Sequence, residues 1–311
     1  MDTTPKHITT SAQKHMDRLF IATCRPLPEP DPDENLLLRA CQAVGIDAQM
    51  LVWHDSVVAS VASTESVPPV LIRSTWDYIH RLNEFTDWLQ TISEKTVVWN
   101  PWPVMQANLH KRYLLALSQA GVPSTPTILH TQGCSATLMQ SLAETAWHEV
   151  VIKPAVGAGS YSTYRLRAKD PDSELVWRES IEARDMLIQP YLSSVEGEGE
   201  RALVWIDGEF THAVRKSPRF ATDSEQVSAA LPVTLEERAL GESALKVAIP
   251  ESLRAQMLYA RVDVARDAAG ELRVMELELI EPSLFLAQHP PALDRLVAAL
   301  RQRLTALILA R

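Results

Sequence analysis

Basic charge is in short supply. The 311-residue chain carries 30 Lys and Arg against 39 Asp and Glu, a formal net charge of −9. That balance argues against a nucleic-acid partner, whose phosphates need a basic surface, but leaves small nucleotide sites open. Cysteine is scarce too. Cys24, Cys41 and Cys134 are odd in number and far apart, so no disulfide framework or zinc spacing is present and a reducing cytoplasm is expected. No apolar run reaches the roughly 18 residues of a membrane span. There is no internal repeat and no low-complexity segment. Residues 1–17 lack the apolar middle of a signal peptide and read as a tail outside the fold.

What is present is 46% hydrophobic and 22% charged, an ordinary globular composition with length for two or three lobes. The first third alternates strand and helix. Residues 19–23, 48–53, 70–73 and 97–99 read as short strands, with helices over 34–44 and around Phe85 and Trp88. That alternation predicts a parallel sheet with helices on its faces. The pattern then changes. A helix is predicted over Asn108 to Ala120. Strands of antiparallel type follow at 148–152, 161–166, 186–190, 201–206, 209–215, 258–264 and 272–279. Short helices are predicted near 136–143, 173–181 and 235–247, a final amphipathic helix over about 291–309, and a long covering loop over 216–234. The expected organisation is a tail (1–17), an α/β lobe (18–106), a lid (107–190) and a larger carboxy-terminal lobe (191–311).

Chemistry concentrates near the C-terminus. In Val274-Met275-Glu276-Leu277-Glu278-Leu279 side chains alternate, so Glu276 and Glu278 share a face. The turn Asp267-Ala268-Ala269-Gly270 pairs this strand with Tyr259 to Ala265 and brings Asp263 to the same face. Three carboxylates together repel unless a cation lies among them, and magnesium suits an oxygen-only set. A solvent-facing strand pair neutralised by Arg261 or Arg273 accounts for them as well.

Other segments offer anion and ring contacts. Lys153 ends an apolar strand ahead of the small-residue loop containing Gly157, Gly159 and Ser160. Such a loop brings backbone N–H groups to an anion, although no Walker G-K-[ST] follows. Gln189, Pro190, Tyr191 and Leu192 end another apolar strand, where exposed backbone groups can pair with a base edge. The acids Glu196, Glu198 and Glu200 after it can accept from ribose hydroxyls. Arg201, Arg215 and Lys216 are candidate phosphate or carboxylate clamps. Arg73, Ser74, Thr75, Trp76, Asp77 and Tyr78 follow a buried strand, where ligands of open α/β sheets gather. There Arg73 is expected to hold a substrate carboxylate and the aromatics to wall its pocket. Taken singly, each segment also reads as a turn, a strand exit or a helix start.

The order of these features resembles the ATP-grasp superfamily: lysine on a helix, lysine ending a strand, Gly loop, hinge, E-R-x-L-V-x-x-D-G, then D…E-x-E. The resemblance covers about Asn100 to Pro282. Asn100-Pro101, Asn108 to Lys111 and Glu276 to Pro282 are similar to segments of prokaryotic glutathione synthetase, except that Glu278 stands where asparagine is usual. The R-S-T-W-D-Y run resembles instead the cyclo-ligase subfamily of D-cycloserine biosynthesis, which closes O-ureidoserine into a ring.

The resemblance implies an α/β fold of ATP-grasp type and a magnesium- and ATP-dependent ligase. It implies Lys111 and Lys153 on the ATP phosphates, residues 157–160 over them, Gln189 to Leu192 on adenine, and Asp263, Glu276 and Glu278 on magnesium. The expected partners are a small-molecule carboxylate and a nitrogen nucleophile, with no nucleic acid and no membrane; a homo-oligomer is compatible. An intermolecular peptide ligase, a small-molecule kinase and a non-catalytic ATP-binding protein are the rival readings. His212 is a candidate base or a structural histidine on its strand.

Overall fold

The structure, a computed structural model, describes residues 18–55, 67–217 and 226–309. The expected tail and residues 218–225 of the loop expected over 216–234 lie outside them. Three four-stranded sheets organise the chain. The first is parallel, in the order β2-β1-β3-β4, formed by β1 (Arg18–Thr23), β2 (Asp47–Val52), β3 (Val70–Ile72) and β4 (Val98–Trp99). Strand and helix alternate there because each apolar run is too short to do more than cross the core once. The helices Glu34–Ala43 and Leu82–Lys95 bury only the faces holding Leu37 and Cys41, and Phe85, Leu89 and Ile92.

The other two sheets are antiparallel. One runs β5-β8-β6-β7, from β5 (Ile128–His130), β6 (Glu149–Pro154), β7 (Tyr164–Arg167) and β8 (Met186–Pro190). The other runs β10-β9-β11-β12, from β9 (Glu200–Ile206), β10 (Glu209–Lys216), β11 (Tyr259–Arg266) and β12 (Leu272–Glu278). Asp207 and Gly208, both at positive φ, turn β9 into β10 as the Asp-Gly pair predicts. The central strand β11 is buried along nearly its whole length. The helix Leu235–Ala248 begins with a capping box between Thr234 and Glu237.

Two expectations change. The helix predicted over 108–120 is two helices, Trp102–Asn108 and Tyr113–Gln119, with Lys111 in the turn between them, where its N–H donates to the Ala155 carbonyl at 2.7 Å. Pro101 and Pro103 do not prevent the first helix, because proline lacks only an N–H that the opening turn cannot use. The three-residue β5 went unforeseen: all of Ile128–His130 is half-buried and shows no alternation.

The core is shared across the chain. Leu19, Ile21, Leu37 and Leu71 of the first sheet region pack in one cluster with Ala202, Val204, Tyr259 and Leu284 and with Leu296, Leu300 and Leu304 of the helix Pro290–Leu309. The β5-β8-β6-β7 sheet has a separate cluster around Trp177, Ile152 and Ile188. No helix among the described residues is long and apolar enough to cross a membrane.

Candidate active site

A cleft of about 610 Å³ lies where the three sheets approach one another. Its floor is β12, whose alternation turns Glu276 and Glu278 to the same side. The register of β11 sets Asp263 beside Glu276 and Arg261 beside Glu278. One bulge, between Asp263 and Val264, shifts the rest of the pair and leaves this stretch intact.

Each acid meets a cation. Glu276 is bonded by Lys111 and lies 3.5 Å from the Lys153 ammonium. Burial pushes its carboxyl up, but the two lysines outweigh burial and hold it at about 2. Lys111 also donates to the Gly157 carbonyl at 2.9 Å. The Arg261 guanidinium spans Asp263, at 2.8 and 2.9 Å, and Glu278. Lys216 joins Asp263 at 2.7 Å and Glu200 at 2.6 Å. Burial raises Asp263 too, yet Arg261 and Lys216 hold its carboxyl well below the usual carboxylate range. Glu278 and Glu200 go the other way. Burial, only partly countered by Arg261 and Lys216 respectively, lifts each to about 7. Glu281, buried beside Glu278 and Tyr78, is pushed up to about 8.

The loop after β6 covers one side. Gly159, Ser160 and Ser162 adopt positive φ, and Gly157 to Tyr161 line the cleft. Tyr161 reaches the first lobe, edge-on to His80 with ring centres 5.0 Å apart. Gln189 to Leu192 form another wall, although the Gln189 amide is committed to Thr127 at 2.8 Å and the Tyr191 N–H to the Glu149 carbonyl. From the first lobe come Trp76, Asp77 and Tyr78. Trp76 donates to the Glu281 carbonyl at 3.0 Å, and Asp77 accepts from Trp53 at 2.7 Å.

Several expected residues stand elsewhere. Arg73 is buried outside the cleft, donating to the Pro282 carbonyl at 2.9 Å and stacked over the Tyr259 ring. It joins the lobes and is not placed to hold a substrate carboxylate. Ser74 is buried against Thr23, and Thr75 is buried too. Arg201 is one residue out of phase with Glu200 and Ala202, so it leaves the opposite sheet face for Glu237 and the Pro232 carbonyl. That bond braces the helix cap and removes Arg201 from the phosphate clamps. Glu196 is held by Arg165 and Tyr191, and Glu198 is exposed and does not line the cleft. His212 is buried against the His289 ring. Burial, then the neighbouring His289, lowers its pKa to about 4, which is the structural alternative.

Two cleft residues were not assigned a role from sequence. Tyr113 accepts the Leu277 N–H at 3.1 Å; nothing in its local pattern signals this. Glu281 lies in the segment likened to glutathione synthetase but outside the E-x-E alternation. Arg261 was considered only as a neutralising charge, and its phase with Asp263 on an alternating strand does carry the signal.

The acids supply only oxygen donors, which suits magnesium. Among the described residues, however, no three acidic side chains are gathered to hold an ion unaided, since Arg261 bridges Asp263 and Glu278. The expected three-carboxylate cage is therefore a lattice of ion pairs, and a metal would need further oxygens from a ligand such as a phosphate.

Comparison with known proteins adds to this geometry. Residues 19–100 match the family model described as the N-terminal domain of D-cycloserine synthetase DcsG. Over 286 residues the chain is 31% identical to the cycloserine biosynthesis protein DcsG of Streptomyces lavendulae, covering 88% of this chain and 94% of that protein. It superposes on the crystal structure of D-cycloserine synthetase DcsG with a TM-score of 0.80 at 30% identity, over 92% of this chain and 99% of that one. The ATP-grasp ligase PsnB, solved with its minimal precursor, Mg and ADP, gives 0.61 at 18% identity over 93% and 99%. At that identity the likeness concerns the fold alone.

Proposed function

The chain belongs to the D-cycloserine synthetase DcsG family, ATP-dependent ligases of the ATP-grasp fold, and from that footing we propose that it activates a small amino-acid carboxylate as an acyl phosphate and joins it to a nitrogen of the same molecule. The reading rests on one observation above all. Lys111, Lys153, Lys216 and Arg261 converge on a single cleft, each paired there with an acid.

Such a cleft exchanges partners when phosphates enter. Lys111 and Lys153 would pass from Glu276 to phosphate oxygens, and Lys216 would follow from Asp263 and Glu200. Glu276, so released, would hold magnesium with Asp263, Glu278 and those phosphate oxygens. Magnesium-bound ATP supplies the transferable phosphoryl group and disperses its charge. Arg261, fixed by Asp263, would face the carboxylate being activated. Gly157 to Tyr161 would exclude water from the acyl phosphate, which hydrolyses readily, and Gln189 to Leu192 would flank the adenine. Trp76 and Tyr78 bring the first lobe to the same cleft, where a small amino-acid substrate would lie. The match over most of both chains to a cycloserine biosynthesis protein favours a small amino-acid substrate and ring closure over an intermolecular peptide ligase, and the R-S-T-W-D-Y resemblance points to a ureido-type amino acid.

The test is ADP release with a panel of amino acids, including ureido and hydroxylamine types, with the product identified by mass. Turnover with one amino acid alone and loss of water equivalents consistent with a ring supports the proposal. A requirement for a second amine, or ADP release without a new C–N bond, defeats it. Lys153→Ala and Lys111→Ala are expected to lower kcat/KM by roughly a hundredfold, because each charge acts on bound and transition states alike.

A further inference from the structure

One buried carboxyl of the cleft takes no part in the phosphate chemistry. Glu281 follows β12 by three residues, is 9% exposed and lines the cleft. Tyr78 of the first lobe lies beside its carboxyl, and Trp76 fixes its main chain through the Glu281 carbonyl. Tyr78 is itself immobilised, stacked on Phe85 with ring centres 4.8 Å apart. The first lobe therefore holds the main chain at Glu281 and walls its side chain with Tyr78.

Its neighbours are matched in a different way. Glu276 meets Lys111 and Lys153, Glu278 meets Arg261, and Glu200 and Asp263 meet Lys216. Glu281 forms no ion pair with any described cation. A carboxyl group offers about four acceptor positions, of which Tyr78 can take at most one. A buried acceptor facing a cleft is costly until a donor arrives. An ammonium or an N–H-rich ureido group fits.

We infer that Glu281, with Tyr78 beside it, accepts N–H bonds from the nitrogen end of the substrate and so sets which nitrogen faces the activated carboxylate. The inference rests on the ligase reading and deepens it. It gives the cleft two kinds of anchor: cations for carboxylate and phosphates, and one acid without an ion pair for nitrogen. Substrates bearing a carboxylate but no N–H donor at the far end would bind poorly.

Steady-state ADP release by the whole chain, with O-ureidoserine as probe, tests this. Glu281→Gln keeps the shape and replaces one acceptor by a donor. It is expected to raise the KM for O-ureidoserine at least tenfold, with the KM for ATP within twofold of the parent. Tyr78→Phe, which keeps the ring on Phe85, is expected to raise the same KM by a smaller factor. A purely structural role would instead move both KM values and the melting temperature together. An unchanged O-ureidoserine KM in folded Glu281→Gln overturns the inference and leaves the ligase reading standing. Should that variant fail to fold, an unchanged KM in Tyr78→Phe overturns it equally. No ADP release by the parent chain with O-ureidoserine or any of the amino-acid panel overturns both.

Discussion

A carboxylate between two buried ammonium groups, as Glu276 is between Lys111 and Lys153, stays ionised under all ordinary conditions. Replacing it by glutamine strands two cations. ATP binding by the parent should depend strongly on magnesium, because acid and phosphate repel without it; Glu276→Gln should bind ATP with that dependence largely gone and turn over roughly a hundredfold more slowly. Calorimetry with and without magnesium checks the first point. Magnesium-independent binding by the parent would reduce these acids to a neutralised sheet face. Glu281 gives a prediction of opposite sign. Its folded pKa, about 8, lies above its unfolded value, so between roughly pH 4.5 and 8 the folded form holds a proton that the unfolded form has lost. Its contribution to stability is therefore greatest in acid and falls as pH rises through that window, by up to about 1.4 kcal/mol per pH unit. Glu281→Gln should flatten this slope in melting curves of the ligand-free protein. Arg73→Ala should cost stability, on the order of 2 kcal/mol, through the lost Pro282 bond and Tyr259 stacking. Asp263, Glu276 and Glu278 were legible from alternation, since period two fixes a face. The errors at Arg73 and Arg201 have a common cause: a basic residue beside a motif says nothing of which face it leaves by.

Among the elements, the approach of β9 to the end of β10 is the tightest joint near the cleft. Gly199 precedes β9 at φ +77°, and a Cβ there would come within 2.8 Å of Arg215 Cδ and 2.9 Å of the Lys216 carbonyl. Gly199→Ala should force the strand end outward and carry Lys216 from Asp263 and Glu200. A lowered melting temperature and a several-fold higher KM for ATP are expected, and a neutral result would mean that the β10 end yields freely. Strands with clear alternation or long apolar runs could be placed from sequence to within a few residues. The helix break at 109–112 could not, because the main-chain bond from Lys111 to Ala155 that draws the chain out of helical geometry spans 44 positions. The short β5 exists only because β8 pairs with it.

Across the whole molecule, the first sheet and the β9 to β12 sheet share one core, sealed by the helix Pro290–Leu309, whereas the β5 to β8 sheet has its own. Hydrogen exchange should accordingly report two cooperative units, with β5 to β8 opening at lower cost and gaining protection when magnesium-ATP is added. Equal exchange in both units, unchanged by nucleotide, would contradict that division. The junction between the first sheet and the strand pair β11 and β12 has another property. Asn100 donates to the carbonyls of Tyr259 and Leu279 and accepts the Leu258 N–H. Tyr259 can donate to the Ile72 or Ile280 carbonyl. Asp33 accepts from the amides of Leu286 and Ala287, while Arg73 and Trp76 reach the carbonyls of Pro282 and Glu281. In each of these contacts one partner is a peptide group, which every sequence possesses. The seam is thus largely indifferent to what the opposite side chains are, so relatives can trade first lobes, or diverge in them, without renegotiating how the lobes fit. On the proposed reading of the cleft, substrate choice could then drift in the first lobe while the phosphate contacts stay as they are.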